Sequence, residues 1–556
     1  MPTTNDVLEH TLEAPNPDEK ETFDDGGAVA TNEPQEHLEG LRLTLLMAAL
    51  CLSVFLVSID NMIITTAIPK ITDAFDALDD ISWYGSAYVS RLFTASRSKL
   101  FARFLLATAS TQLLFGRLYS FLDQKWVFIA AITIFEIGSA VCGAAPSSHA
   151  FIAGRAIAGF GTAGVFSGAI IIIAHAAPLE KRPIYTSIIG AMDGIASVGG
   201  PLLGGLFTDK VSWRWCFYVN LSIGAATLFL LIPVLKMPRN TNAASSRISF
   251  WARIDSLDPL GTIVFIPAVV SLLLALQWGG TTYAWNESRV VALLVVFGVL
   301  TIVFVLIQLW KQDNATLPPR ILKQRSIWAG AYVEFTMGAA FFIVVFFFPV
   351  WLQAIKGFSA VKSGYSTIPL ILSLVFGSLV AGYAVTATGY YVPWLILGAV
   401  FMSAGAGVLY TLRVDTGHAK FIAYQVLFGL GFGFANQQPF IAVQTVLPLE
   451  DVPIGTSIIM LMQTLGGAVF LSAATNVFTD NLAQGVARIS GVSPESVVST
   501  GATNLASAIA PQYLGAVLVV YNDAIMKTFE VAIALSGASL LGSLAMEWRS
   551  VKAPES

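Results

Sequence analysis

Residues 194–207 read GIASVGGPLLGGLF, with five glycines (Gly194, Gly199, Gly200, Gly204, Gly205) and Pro201 in fourteen mainly apolar positions. In water such a helix would be poor, each interior Gly costing about 1 kcal/mol and Pro about 3 relative to Ala. The flanks, TSIIGAMD before it and TDKVSWRW after it, nonetheless look like the ends of one apolar span. A bilayer tolerates such a helix, because neighbouring helices re-satisfy the freed backbone groups. Small residues at Gly200, Gly204 and Gly205 would let another helix approach closely, and Pro201 supplies a bend.

The rest of the chain agrees. Of its 556 residues 55% are hydrophobic and only 12% charged, against roughly 25% charged in a soluble domain; mean hydropathy is +0.71. Apolar residues fall in blocks such as ALCLSVFLVSIDNMII and VVALLVVFGVLTIVFVLI, near the ~20 residues that cross a bilayer. This is an all-α polytopic membrane protein. The net charge of −4 says little, since residues 1–40 hold eleven Asp or Glu and one Lys. That tail cannot bury a core and is expected to be disordered. It lacks a signal peptide's basic start, so the first hydrophobic block is expected to remain as a helix. Cys51, Cys142 and Cys216 lie in apolar stretches without C-x-x-C spacing, and read as small hydrophobes rather than disulfides or metal ligands.

Hydrophobic blocks between polar breaks give fourteen spans, at about 43–63, 82–118, 126–145, 150–176, 183–207, 214–235, 258–278, 290–310, 327–350, 363–386, 392–412, 419–446, 453–478 and 526–547. The even count puts both termini on one side. With that side cytoplasmic, and with Lys20, Arg155 and the cations at 91–103 left out, fifteen Lys and Arg fall inside and ten outside, the sign required by the positive-inside rule. Asn286 (NES) then lies on an outer loop open to glycosylation, while Asn314 (NAT) lies inside. The expected organisation is a tail at 1–40, a six-helix half at 41–236, a loop with two extra helices at 237–325, a second six-helix half at 326–548, and a cytoplasmic tail at 549–556. Two six-helix halves around a midplane cavity is a common carrier architecture. No G-x-x-x-x-G-K stretch supplies a nucleotide motor, so an ion gradient would have to drive uphill movement.

Several motifs together resemble the major facilitator superfamily, in particular its fourteen-helix drug:proton antiporter branch. GPLLGG (200–205) matches the antiporter signature G-P-x-x-G-G, which the resemblance associates with export. IDNMIITTAIP (59–69) is similar to the branch's first-helix pattern, keeping Asp60 and Pro69. GRAIAGFGTAG (154–164) looks like R-x-x-x-G-x-G, carried by Arg155, Gly159 and Gly161. WRWCFYVNLSIG (213–224) matches W-R-W-x-F-x-x-N-x-P-x-G except that Ser222 replaces the proline. The loop motif G-x-L-x-D-R-x-G-R-K, whose Asp forms a cytoplasmic latch, is eroded to GRLYSFLDQK (116–125). Ser120 stands at the Asp position, and either Asp123 substitutes or the latch is weaker. The wording is nearest to fungal toxin and secondary-metabolite efflux carriers. The resemblance implies proton-coupled efflux of a hydrophobic small molecule, by a monomer in the plasma membrane. Lipid, substrate and protons are the partners implied, with no cofactor and no nucleic acid. A proton-coupled importer is the alternative on the same fold. A membrane-embedded enzyme would need a catalytic cluster that is not visible.

Ionisable residues within spans are costly and are functional candidates by default. Asp60, midway along the first block, is the candidate coupling acid, the alternative being a helix-packing carboxylate. Arg155 reads as proton relay by resemblance or as a structural salt-bridge partner. Asp193 faces a pore or marks a helix end. Glu334 faces the cavity or the head groups. Glu136, more central but on the third helix, which the architecture places at the periphery, reads as structural, and His175 as interfacial. Asn436, Gln437 and Gln438 beside Pro439 either bond substrate or join helices. The aromatic run GAAFFIVVFFFPVW (338–351) is a weak cage, since part of it must face lipid. The second span is over-long: between Tyr88 and Gln112 the pattern leaves a surplus of about 16 residues carrying Arg91, Arg97, Lys99 and Arg103. A retained intron is the preferred reading of 91–106, because Val89-Ser90 can be encoded by a splice-donor sequence, GTAAGT. An amphipathic insertion is the alternative.

Overall fold

A computed structural model describes residues 40–75, 111–235, 257–280, 283–494, Val497, Leu505 and 509–552. The surplus at 91–106 and the acidic tail before Gly40 lie outside the described residues. The helices are α1 (Gly40–Phe75), α2 (111–121), α3 (Gln124–Ala144), α4 (Ser148–Ala176), α5 (Arg182–Lys210), α6 (Trp215–Val234), α7 (Pro259–Trp278) and α8 (Ser288–Lys311). They continue as α9 (Arg325–Ala354), α10 (Ile368–Thr388), α11 (Val392–Tyr410), α12 (His418–Ala435, resuming at Gln438–Val446), α13 (Val452–Val486) and α14 (Pro511–Ala545). Thirteen of these helices are long and apolar enough to cross a membrane; α2 is described only over 111–121.

Departures from the hydropathy blocks have local causes. The last helix begins at Pro511 rather than near 526, although Asn522 and Asp523 read as a polar break. Asn522 is satisfied inside the protein: its Oδ1 accepts from Trp351 Nε1 at 2.8 Å and its Nδ2 donates to Leu412 O at 3.1 Å. Tyr521 meanwhile packs edge-on against Phe478 of α13. The twelfth span breaks at Asn436–Gln437 because Pro439 has no N–H to return to the preceding turn. By contrast α5 runs unbroken through Pro201. Gly200 explains its course. A Cβ there would stand 2.5 Å from Met62 Cβ and 3.0 Å from Ile63 N, so α1 and α5 cross at a distance only glycine allows. Gly204 is buried, but Gly205 has open space at that position. The expected contribution of Gly205 to the crossing is corrected accordingly: the helix turns it away from α1.

One face gathers the first residues of α1 and the last of α14. Arg325 Nε donates to Ala545 O at 2.6 Å, and the Arg117 guanidinium of α2 to Asp313 O at 3.1 Å. We call this the terminal face. The two halves meet on its side of the molecule. There Arg182 Nη1 donates to Gln444 O (3.4 Å), Ser378 Oγ to Ser187 O (3.5 Å) and Gln112 Nε2 to Met460 Sδ (3.4 Å). An apolar cluster joins Leu113, Ile170 and Ala174 to Phe440, Val443, Val452 and Ile458. Near the opposite face the cluster around Ile63, Phe151, Trp213 and Phe217 belongs to the first half alone.

The eroded loop fits this closure differently from the expectation. Asp123 does not replace the missing latch acid, since its Oδ1 accepts from Lys125 N (2.9 Å) and caps α3. Ser120 bonds its own helix at Gly116 O. Charge pairing at this face includes the connection after α8, where Arg320 bonds Asp313 (2.8 Å) and both oxygens of Asp451 at the start of α13, and Lys311 at the end of α8, which stands 3.5 Å from Asp258.

Candidate functional site

Asp60 sits twenty residues into α1, about 30 Å along the axis at 1.5 Å per residue. Arg155 is seven residues into α4 from the opposite face, so the helices running in opposite directions bring the two level. Arg155 Nη1 stands 2.6 Å from Asp60 Oδ2. The other oxygen, Oδ1, accepts from Asn220 Nδ2 of α6 at 2.7 Å, and Asn220 also reaches Ser139 Oγ of α3 at 3.3 Å. Asp60 is 1% exposed. Four helices thus converge on one carboxylate, and a buried charge is tolerable because it is paired and hydrogen-bonded. Losing either ion would leave the other buried alone, at about 3–5 kcal/mol. Asn220 and Ser139 were not singled out by sequence reasoning; the Asn of the WRW…N…G run was the available signal.

Asp193 is solvent-accessible and its Oδ1 accepts from Ser58 Oγ at 2.6 Å, two residues before Asp60 on α1. Immediately beyond it, Gly194, Ile195, Val198 and Gly199 face Ile371, Leu372 and Val375 of α10 across an apolar cleft of about 240 Å³ between the halves.

The second half builds a different polar centre. Glu334, wholly buried nine residues into α9, accepts from Gln463 Nε2 of α13 at 2.8 Å, and the same amide reaches Asn436 Oδ1 at the break in α12 at 2.7 Å. Glu334 Oε1 has no hydrogen-bond partner among the described residues. Gln437 lies across the half-to-half boundary against Gly190, where a Cβ would meet its Nε2 at 2.1 Å. Gln438 turns back on its own chain, bonding Phe434 O (2.8 Å), and is not part of the centre. Gln463 was missed, because one Gln in a long apolar helix gives no signal by itself. The aromatic run is mostly core: Phe347, Phe348 and Trp351 are buried, while Phe341 stacks on Phe432 at 3.9 Å. His175 links α4 to α3 through Gln124 (3.0 Å). Among the described residues there is no cluster able to hold a metal ion.

Two helical halves, a sealed ion pair in one, a broken helix in the other and an apolar cleft between them define a membrane carrier. The chain belongs to the Major Facilitator Superfamily, whose family model matches residues 50–471. It is 53% identical over 521 residues to the MFS-type efflux pump MFS1 of Arthroderma benhamiae, covering 94% of each chain. It is 46% identical to efflux pump aflT of Aspergillus parasiticus (94% of this chain, 98% of that one). It is likewise 46% identical to the aspyridones efflux protein of Neocamarosporium betae (92% and 88%). Among solved structures it resembles the human organic anion transporter MFSD10, with TM-score 0.57, 13% identity and coverage of 89% and 100%. It also resembles the proton:xylose symporter XylE, with TM-score 0.56, 13% identity and coverage of 90% and 94%. At that identity these two speak for the fold alone.

Proposed function

We propose that this chain is a secondary active exporter that moves a hydrophobic small molecule, a toxin or secondary metabolite, out of the cell in exchange for protons. The observation that carries the coupling is Asp60, the buried carboxylate held by Arg155 and Asn220. A proton taken up by Asp60 cancels its charge, releases Arg155, and so favours a different packing of α1, α4 and α6. Such a two-state element is what a gradient must act on to do work. The apolar cleft with few polar anchors suits a hydrophobic ligand, in keeping with the names of the fungal relatives. Asp193 beside the cleft, with Glu334, Asn436, Gln437 and Gln463, supplies the anchors in this reading.

The terminal face is cytoplasmic in this proposal, and the protein acts as a monomer in the plasma membrane, with residues 41–236 and 326–548 as its halves and 237–325 between them. The contacts joining the halves on the terminal side then describe an outward-facing conformation. Asn286 is exposed on the opposite face and becomes an outer glycosylation site. The test uses fungal cells expressing the full chain and loaded with the lipophilic dye rhodamine 6G. Expressing cells should retain less dye than controls, and an uncoupler that collapses the proton gradient should abolish the difference. Higher retention in expressing cells would contradict export. Loss of the glycan shift in Asn286→Gln checks the sidedness.

A further inference from the structure

Glu136 is an intramembrane acid, its carboxyl buried, that this coupling scheme leaves unused. It lies on α3 one turn before Ser139. Both its carboxyl oxygens are sealed from solvent and neither has a hydrogen-bond partner among the described residues. The space they occupy is made by α6: a Cβ on Gly224 would stand 1.8 Å from Glu136 Oε1. Gly224 is one turn beyond Asn220 in the same WRW…N…G run, and Asn220 Oδ1 is also unpaired. One motif on α6 therefore donates to Asp60 and makes room for Glu136.

The charged and titratable groups around it come from every helix of the cluster. Asp60 of α1 lies close enough to act on Glu136 electrostatically, and Arg155 of α4 is engaged by Asp60 at 2.6 Å. Cys142 on α3 lies within electrostatic reach of both Asp60 and Arg155, and Cys216 on α6 within reach of Asp60. No cation is committed to Glu136 among the described residues. An ionised carboxylate there would be desolvated, unpartnered and beside a second negative charge, three penalties of one sign. The sealed, unpartnered site of Glu136 suits the neutral acid, which needs no counter-ion.

We propose that Glu136 is a second proton-carrying carboxyl of the first half, working with Asp60; the inference rests on the proton-coupled reading above. An incoming proton that neutralises Asp60 removes one of the penalties on an ionised Glu136, the like charge, and leaves the Arg155 cation nearby to offset the burial that remains. The Glu136 O–H bond then breaks and its proton passes to water as the helices repack. One proton enters at Asp60 and one leaves from Glu136, so the cluster keeps its net charge.

The experiment uses the purified full chain in lipid vesicles at neutral pH. The infrared spectrum of wild type minus Glu136→Gln should contain the carbonyl stretch of a protonated carboxylic acid; carboxylate bands in its place would overturn the proposal. Accumulation of rhodamine 6G driven by a pH gradient should fall at least tenfold in Glu136→Gln, while dye-for-dye exchange without a gradient continues. Undiminished accumulation would equally overturn it. Gly224→Ala, which crowds Glu136 and removes no titratable group, should displace the pH profile of transport; an unchanged profile would count against the pairing. If wild type itself shows no gradient-driven flux, the coupling reading fails, and the infrared difference still decides the protonation of Glu136.

Discussion

The two halves bury acids in opposite ways. In the first, Asp60 has a cation on one oxygen and an amide on the other, and four helices meet around it. In the second, Glu334 has a single amide, Gln463, and one oxygen unpaired. A paired ion can remain charged in a dry interior, whereas a carboxyl with no cation is stable there only as the neutral acid. In the proposed function the contrast divides the labour: the first half responds to a proton, and the second offers amides and an acid where α12 is broken. Broken helices at the midplane are where carriers of this kind place their ligands.

The largest expected effect tests the pairing itself. Asp60→Asn strands the Arg155 cation and should lower stability by about 3–5 kcal/mol, read as a drop in Tm of the detergent-purified protein. Adding Arg155→Gln should recover most of that loss without restoring transport. Equal Tm values for wild type and Asp60→Asn would show that the pair does not hold this half together.

Next in size is the crossing that positions Asp60. Gly200→Leu drives a side chain into Met62 and Ile63, an overpacking of about 1–3 kcal/mol, and should abolish dye efflux in cells with insertion intact. Normal efflux would mean that α1 and α5 can separate freely.

Within the second half, Gln463→Leu removes the amide shared by Glu334 and Asn436. Two lost hydrogen bonds, about 1 kcal/mol each, should raise the KM for dye roughly tenfold or more and leave gradient-driven flux in place. Loss of coupling with KM unchanged would reverse the division of labour.

The smallest effects belong to the terminal face. Arg320 is half exposed, so Arg320→Ala should cost about 1 kcal/mol or less and speed opening at that face. Asp258 lies beside it, outside the spans. Burial raises its carboxyl, but hydrogen bonds from Gly261, Thr316 and Gln308 outweigh this and hold it below the usual value. Its folded-state pKa is depressed, so its stabilisation is present above the unfolded value near 4 and is lost as pH falls through the lower one. Asp258→Asn should flatten the acid limb of Tm against pH; an unaltered limb would remove Asp258 from the network.

The fold was legible because lipid imposes its own arithmetic. Blocks of about 20 apolar residues announce spans, and GPLLGG announced a close crossing that Gly200 makes against α1. Asp60 and Arg155 stood out as charges in apolar sequence, and they meet. What was hidden depends on partners distant along the chain. Ser139 and Gln463 are ordinary polar residues until a neighbour gives them a role. Asp123 sits at a motif position yet is used by its own helix end. The start of α14 is hidden because Asn522 reads as a boundary, although it is a buried side chain with a hydrogen bond at each end of its amide.

The central claim is that Asp60 converts a proton gradient into export. The direct measurement is uptake of rhodamine 6G into vesicles carrying the purified full chain, with the lumen made acidic relative to the outside. Wild type should concentrate the dye only with that polarity, as antiport requires, and Asp60→Asn should equilibrate it without concentrating it. Accumulation by Asp60→Asn equal to wild type, or by wild type under the opposite gradient, would contradict the account.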